Sequence, residues 1–433
     1  MSDAHMNMSA SSDAAAPGHR RAIFASAIGS MMEWYDFVTY SYLATYISHA
    51  FFPSGNETTA LLATFATFGV GFLARPLGGF VFGVLGDRSG RKVAMLITMF
   101  MMAIATGLIG ILPGYAEIGI IAPILLVLAR IAQGMSAGGE GTTAISYVVE
   151  WAPRGKRGLF GALMGAGSGF GLLLGSATVT ILNSFLSHND IQEWGWRVPF
   201  LLGVLIGPIG LWIRRSIDES PAYLRAKKSI PAKSSTPTIA PWRLGGRAFM
   251  FLLFWSVAYY VFLSFMPHFA THYLKVSGFT AFWVNTLSVF VYVCLVPVFG
   301  YLSDRVGRKP VLLASCLGFA ATCYPLFKIL LSGVGLGTYV AILLFFATLL
   351  AMYSGPGAAT CAEIFPTRIR SKWLSIGYGS SVAIFGGFTP FIATWLIEKM
   401  GTPLAPTWYV TVTAIIGAGV VLWLRETAHS ELQ

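Results

Sequence analysis

The segment GVLGDRSGRK at residues 83–92 returns almost intact as GYLSDRVGRK at residues 300–309. Both copies lie between long apolar runs, and both pack Gly, Asp and three cations into ten residues. A second marker repeats at nearly the same offset. EWAPRGKRG from Glu150 is echoed by EIFPTRIRSK from Glu363, aligning Glu150 with Glu363, Pro153 with Pro366 and Arg157 with Arg370. Two markers recurring at nearly one spacing describe a duplicated half-chain, and parallel repeats of a membrane half are a transporter architecture.

The sequence around the repeats belongs in a bilayer. Of 433 residues, 55% are hydrophobic and 11% charged, with a mean hydropathy of +0.68, which excludes a soluble globule. Twelve apolar runs, the first at 22–52 and the last at 406–424, are long enough to cross a hydrocarbon core of roughly 30 Å. The predicted fold is an all-α membrane protein of twelve transmembrane helices in two pseudo-symmetric six-helix halves. A disordered tail is expected at 1–20, the first half at 21–215, a polar linker at 216–246 with a short helix near 221–228, the second half at 247–425, and a short tail at 426–433. Most of the 29 Lys and Arg fall at the two ends and in the even-numbered connections. Only Arg197, Lys275, Lys328 and Lys399 fall on the opposite side. This bias predicts both termini in the cytoplasm. The net charge of +11 then reflects topology and contact with anionic lipid, and no nucleic-acid partner is expected.

Five strongly charged residues fall well inside apolar runs: Glu33, Asp36, Arg75, Arg130 and Glu140. Such residues face a cavity or one another, because an isolated charge in hydrocarbon is costly. Helical rise puts Glu33, Arg75 and Arg130 roughly 16–18 Å from the nearest membrane face, near the midplane, on three different helices. Asp36 follows Glu33 by one near-turn and shares its face. All five belong to the first half. The second half offers Trp255, Tyr259, Tyr260, Asn285, Tyr292, Tyr353 and Tyr378 instead. The pattern predicts a charged wall facing an aromatic, hydrogen-bonding wall across a central cavity. Candidate substrate contacts are Arg130, Arg75 and Gln133 on one side and Tyr259, Tyr292 and Tyr378 on the other. The arginines would take a substrate carboxylate, and Glu33 or Asp36 would carry a coupling proton. An Arg that leaves an acid for a substrate anion changes that acid's hold on its proton, so binding and protonation are coupled. The competing reading is that these charges only neutralise one another and tie helices 1, 2 and 4 together.

The repeated loops suit a conformational latch. Asp87, Arg88 and Arg91, with their counterparts Asp304 and Arg308, lie where Glu150 and Glu363 could pair with them in one conformation and release them in the other. Gly90 and Gly307 would permit a left-handed turn, and Glu140, near the inner end of its helix, suits a gate. The fifth apolar run carries glycines at four-residue spacing (Gly161, Gly165, Gly169; Gly167, Gly171, Gly175), a pattern for close helix crossing. His268 and His272 have i,i+4 spacing but lack the intervening Glu of a zinc-protease motif, so packing is favoured and no metal is expected. No nucleophile cluster or nucleotide loop is present, so neither an enzyme nor any cofactor beyond the proton is expected.

With these residues in place, the chain resembles the major facilitator superfamily, whose loop signature GVLGDRSGRK matches. Within it, MEWYDF (32–37), ARPLGG (74–79), RIAQGMSAGGE (130–140), WGWRVPF (194–200), DESP (218–221) and EIFPTRIR (363–370) look like the metabolite:proton symporter family. The resemblance implies proton-driven uptake of organic carboxylates or of zwitterions such as proline and betaine, with Glu33 and Asp36 in a helix-1 acidic motif. The chain ends soon after the twelfth run, without the heptad tail of osmosensing members, and two intramembrane arginines favour an anion. The fifth run lacks the Gly-Pro pair of drug exporters. The expectation is a proton-coupled symporter importing a di- or tricarboxylate or aromatic acid, with a zwitterionic osmolyte as the alternative and an exporter behind both. A monomer in the inner membrane, in contact with lipids and a small organic anion, completes the expectation.

Overall fold

Within hydrocarbon every backbone N–H and C=O needs an internal partner, and long helices supply it. The computed structural model describes residues 17–53, 55–89, 91–138, 149, 152–153, 155–204 and 240–428, and among the described residues there is no strand. Among the described residues, eight helices are long and apolar enough to span a membrane, and two shorter apolar helices, Leu96–Ile111 and Ile121–Ala137, accompany them. The chain is a multi-pass membrane protein.

In the first half, α1 (Pro17–Tyr42) continues past Leu43 as α2 (Ala44–Phe51), and α3 (Glu57–Leu73) continues past Ala74 as α4 (Arg75–Ser89). There follow α5 (Arg91–Ile111), α6 (Tyr115–Ile118), α7 (Ile121–Ala137), α8 (Arg157–Phe185) and α9 (His188–Glu193), then a helix whose described part is 198–204. In the second half, α10 (Pro241–Tyr260) and α11 (Met266–His272) form one span through a π-helical turn at Val261–Phe265. Next come α12 (Gly278–Val306), α13 (Arg308–Leu331) and α14 (Leu336–Glu363). A second π-helical turn, Val382–Gly386, joins α15 (Thr367–Ser381) to α16 (Thr389–Met400), and α17 (Ala405–Trp423) closes the bundle.

The breaks have chemical causes. Pro76 lacks an N–H and so leaves the Phe72 carbonyl without its i+4 donor, and the second span is interrupted two residues before it, at Ala74. Pro267 leaves the Leu263 carbonyl without its i+4 donor, and Tyr42 Oη donates to that carbonyl across the halves at 2.5 Å. At the second π turn the Gly387 N–H reaches Val382 O, an i+5 bond.

The halves meet along α8, which packs on α1 in its own half and on α12 and α14 in the other. Gly171 faces the Met31 backbone and Gly175 faces Val38 on α1, while Gly169 faces Val293 on α12 and Gly161 faces Ala359 on α14, so the glycine ladder serves three helix crossings. At the Arg308 end of the bundle the contact is closest: a Cβ on Gly300 would lie 2.7 Å from Gly158 O. At the His268 end, α3 packs on the second π turn and on α16. Large apolar side chains such as Phe80, Phe185, Ile111 and Trp423 remain exposed, as a lipid-facing surface requires.

Some boundaries differ from expectation. Helix α1 starts at Pro17, so the last residues of the expected disordered tail are helical; Pro suits a first helical turn, where its missing N–H has no partner to lose. The expected linker helix near 221–228 and most of the sixth span lie outside the described residues.

A candidate substrate site at mid-bundle and a clamp at one end

Helices α1, α4 and α7 bring three of the expected charges together. Arg75 Nη2 lies 3.0 Å from Glu33 Oε1, and both side chains are buried. Phe37 is shared by the two arginines: its ring centroid lies 4.5 Å from the Arg75 guanidinium carbon and 4.7 Å from that of Arg130. Arg75 also lies over Phe72 at 4.2 Å and near Trp34 at 5.9 Å, and Arg130 lies over Tyr40 at 4.4 Å. Aromatic faces attract a cation and exclude water, so two like charges are tolerated close together. The approach of their helices depends on glycine. A Cβ on Gly134 would overlap the Gly71 carbonyl, so α3 and α7 touch backbone to backbone.

Asp36 and Glu33, expected on one helix face, serve different arginines. Thr106 Oγ1 on α5 donates to Asp36 Oδ2 at 2.5 Å and accepts from Gln133 Nε2 at 2.8 Å. Gln133 Oε1 in turn accepts from Arg130 Nη1 at 2.7 Å. Donors and acceptors run in one direction from Arg130 to Asp36 through two neutral side chains. Arg130 is fully buried, and its Nε and Nη2 have no hydrogen-bond partner, nor does Arg75 Nε. Buried charged donors left open are costly, and they suit an incoming oxygen anion.

The facing wall is aromatic, with Trp34 of α1 completing it. Trp34 packs edge-on to Tyr259 at 5.3 Å and lies 6.2 Å from Tyr260. Tyr259 meets Tyr260 at 5.5 Å and Tyr292 at 6.0 Å, and Tyr260 meets Phe72 at 5.4 Å. The Tyr260 hydroxyl is buried without a partner. Tyr378 is half-buried against the same aromatic core. Two expected wall residues are used elsewhere. Tyr353 stacks on Phe251 and donates to its carbonyl at 2.9 Å inside the second half. Asn285 donates to Tyr42 Oη at 2.9 Å and Ser176 Oγ at 3.0 Å, stitching the halves together. Sequence reasoning passed over Trp34, Phe37 and Thr106 as site residues, although Trp34 and Phe37 stand in the MEWYDF segment beside both acids.

At the Arg308 end the second copy of the repeat forms a clamp. Arg308 Nη1 lies 2.8 Å from Asp304 Oδ1 and donates to Ser303 Oγ at 2.7 Å, while Nη2 reaches Glu363 Oε1 at 3.3 Å. The Asp304 carboxylate crosses to the first half, accepting from Gly158 N at 2.8 Å and Leu159 N at 2.9 Å in the first turn of α8. A carboxylate there satisfies open N–H groups and complements the helix dipole. Arg157 of the first half approaches Glu363 Oε1 at 4.0 Å. Gly307, with φ of 102°, makes the expected left-handed turn. Glu426, in the segment expected as a short tail, accepts from the backbone N–H groups of Arg308 and Lys309, each at 2.9 Å. Burial opposes its charge, but these N–H groups with those of Ala428 and Thr427 outweigh it and hold the carboxyl below its ordinary 4.5. Thr427 Oγ1 donates to Glu363 Oε2 at 2.6 Å. The side chains of Asp87, Arg88 and Arg91, together with Glu140 and Glu150, lie outside the described residues. His268 Nδ1 lies 3.1 Å from Thr45 Oγ1, and its ring stacks on His272 at 5.6 Å. Among the described residues no group of three or more His, Cys, Asp or Glu could hold a metal ion.

Comparison with known proteins places this geometry in a family. The family profile of the sugar (and other) transporters matches residues 22–244, and that of the Major Facilitator Superfamily matches residues 248–432. The proline/betaine transporter of Salmonella typhimurium is 36% identical over 96% of this chain and 85% of its own length. The glycine betaine/proline/ectoine/pipecolic acid transporter of Dickeya dadantii has the same identity and coverage. Among solved structures, the partially occluded inward open conformation of the Escherichia coli xylose transporter XylE superposes with a TM-score of 0.78 at 18% identity, covering 95% of this chain and 99% of that one. These relatives are named for proline and betaine, which accords with the zwitterion alternative better than with the organic carboxylate expected first from the sequence. A chain that repeats its six-helix half, clamps the halves through the duplicated loop and aligns nearly end to end with these relatives belongs to the major facilitator superfamily, among the symporter-type members that include the proline/betaine transporters.

Proposed function

We propose that this protein is a proton-coupled importer of a small zwitterionic osmolyte of the proline or betaine kind. The carrying observation is the mid-bundle charge layer, in which two buried acids face two buried arginines while Arg130 Nε and Nη2 stand open. A zwitterion entering this layer leaves its net charge unchanged. A dicarboxylate would add negative charge in a low-dielectric interior, where it is penalised. The substrate carboxylate is received by Arg130, with Arg75 beside it, and the ammonium end lies toward Glu33. The hydrogen-bonded path from Arg130 to Asp36 gives binding a route to a proton: when Arg130 turns to a substrate carboxylate, the Gln133–Thr106 link to Asp36 is disturbed. Glu33 is the second candidate carrier, since its partner Arg75 lies in the same layer. The clamp at Asp304, Arg308 and Glu363 holds the halves in one conformation and releases in the other, the population shift that alternating access requires. Lys/Arg bias supports an inner-membrane protein with cytoplasmic termini.

Reconstituted vesicles test the reading. With an inward proton gradient, labelled glycine betaine and proline should accumulate, a protonophore should collapse the gradient and the uptake, and excess 2-oxoglutarate should leave it unchanged. Accumulation of labelled 2-oxoglutarate that glycine betaine does not compete would replace this reading with the carboxylate one.

A further inference from the structure

The proposed site recognises a carboxylate through arginine, which leaves open how it tells one ammonium group from another. A quaternary ammonium donates no hydrogen bond, so an acceptor such as Glu33 serves it only as a distant charge; it is held by aromatic faces. A secondary ammonium such as that of proline has N–H groups to donate and suits the carboxylate itself. Trp34 stands between these two chemistries. It follows Glu33 in sequence, remains half-buried beside buried neighbours, and touches Tyr259 and Tyr260 of the other half. The cluster already holds a cation, because the Arg75 guanidinium lies 5.9 Å from the Trp34 ring and 4.2 Å over Phe72, with Glu33 as counter-ion. The buried, unpartnered Tyr260 hydroxyl marks the same place as incomplete without a further group.

We propose that Trp34 is a specificity-determining residue whose indole face, backed by Tyr259, receives the quaternary ammonium end of a methylated substrate. The inference rests on the zwitterion reading above. In it the protein's own guanidinium stands in for the substrate cation, and the ammonium takes the indole face when the carboxylate draws the arginines toward itself. Because the rings come from both halves, the ammonium is gripped only while the halves are together at this depth.

The test separates charge on the ring from shape. Binding of glycine betaine, proline and 3,3-dimethylbutanoate, the neutral carbon isostere of glycine betaine, is measured by isothermal titration on purified wild type, Trp34→Leu and Trp34→Phe. Wild type should bind glycine betaine about tenfold more tightly than the isostere, the size of a desolvated cation–π contact. Trp34→Leu should lose that preference while its proline affinity stays within about threefold, which also shows that the variant is folded. Trp34→Phe should recover part of it. Equal weakening of all three ligands by Trp34→Leu would assign Trp34 to packing and overturn the proposal, as would a wild type that does not prefer glycine betaine to its isostere while binding both. If wild type binds neither glycine betaine nor proline, the zwitterion reading itself has failed and this inference goes with it.

Discussion

Two pairs of buried arginines in this protein solve the same problem in opposite ways. At the Arg308 end, Arg308 gives its donors to Ser303, Asp304 and Glu363, and Arg370 gives Nε and Nη2 to the Ala362 and Phe365 carbonyls. At mid-bundle, Arg130 gives one donor to Gln133 and keeps Nε and Nη2 open, and Arg75 keeps Nε open, with aromatic faces in place of oxygens. Burial is alike: Arg308 is 1% exposed and Arg130 0%. What differs is satisfaction. An arginine whose donors are all used is a fastener, whereas one surrounded by rings with donors idle is what the proposed site offers to a substrate carboxylate.

Mutation can break that distinction. Arg130→Ala should produce the largest change, lowering substrate affinity about a hundredfold through two lost charge-assisted bonds while leaving the folded state largely intact, read as binding and thermal unfolding on one preparation. Arg308→Ala should do the reverse. It leaves Asp304 and Glu363 without their buried partner, a loss of about 3–5 kcal/mol of stability, with affinity nearly unchanged. If Arg308→Ala weakens binding as much as Arg130→Ala does, the contrast is wrong.

The acids sharpen it further. Asp36→Asn should retain substrate exchange across vesicles within about threefold, and Glu33→Gln should weaken proline exchange more than glycine betaine exchange, while each reduces proton-driven accumulation about tenfold or more, the separation expected when a carboxyl carries the coupling ion. Near-normal accumulation in both variants would take helix 1 out of the proton path. The smallest effect belongs to Glu426→Gln. Its carboxyl is held below its ordinary value in the folded protein, so its stabilisation is full above about pH 4.5 and is lost as pH falls through the lower folded value. Because this carboxyl is exposed and screened by solvent, the variant should be less stable than wild type by no more than about 0.5 kcal/mol near pH 6, with the two unfolding curves converging in stronger acid.

Much of this was legible in the sequence. The doubled loop gives the two halves, apolar run lengths give the spans, and intramembrane charges are conspicuous because hydrocarbon tolerates so few. Depth counting along helices placed Glu33, Arg75 and Arg130 at one level, where the structure puts a 3.0 Å ion pair and a shared Phe37 ring. What stayed hidden depends on rotation about helix axes and on neutral residues. Thr106 resembles any intramembrane threonine; Thr64 and Thr67 turn back onto their own backbone at Ala60 and Ala63, and nothing local shows that Thr106 instead bridges Asp36 and Gln133. Trp34 among so many aromatic residues reads as lipid-facing until Tyr259 is placed against it. Glu426 follows the last helix by three residues, where a lone acid on a tail carries no signal of the helix start it will cap.

The proline at position 267 reaches further than its own helix. By withholding an N–H it leaves the Leu263 carbonyl without its i+4 donor, and a tyrosine from the opposite half donates to it. Pulling the halves apart at the His268 end strips that carbonyl bare, and only water is at hand to replace the phenol. A single missing N–H in one helix thus couples that helix to the seam between the halves, since the phenol that answers it comes from the other half.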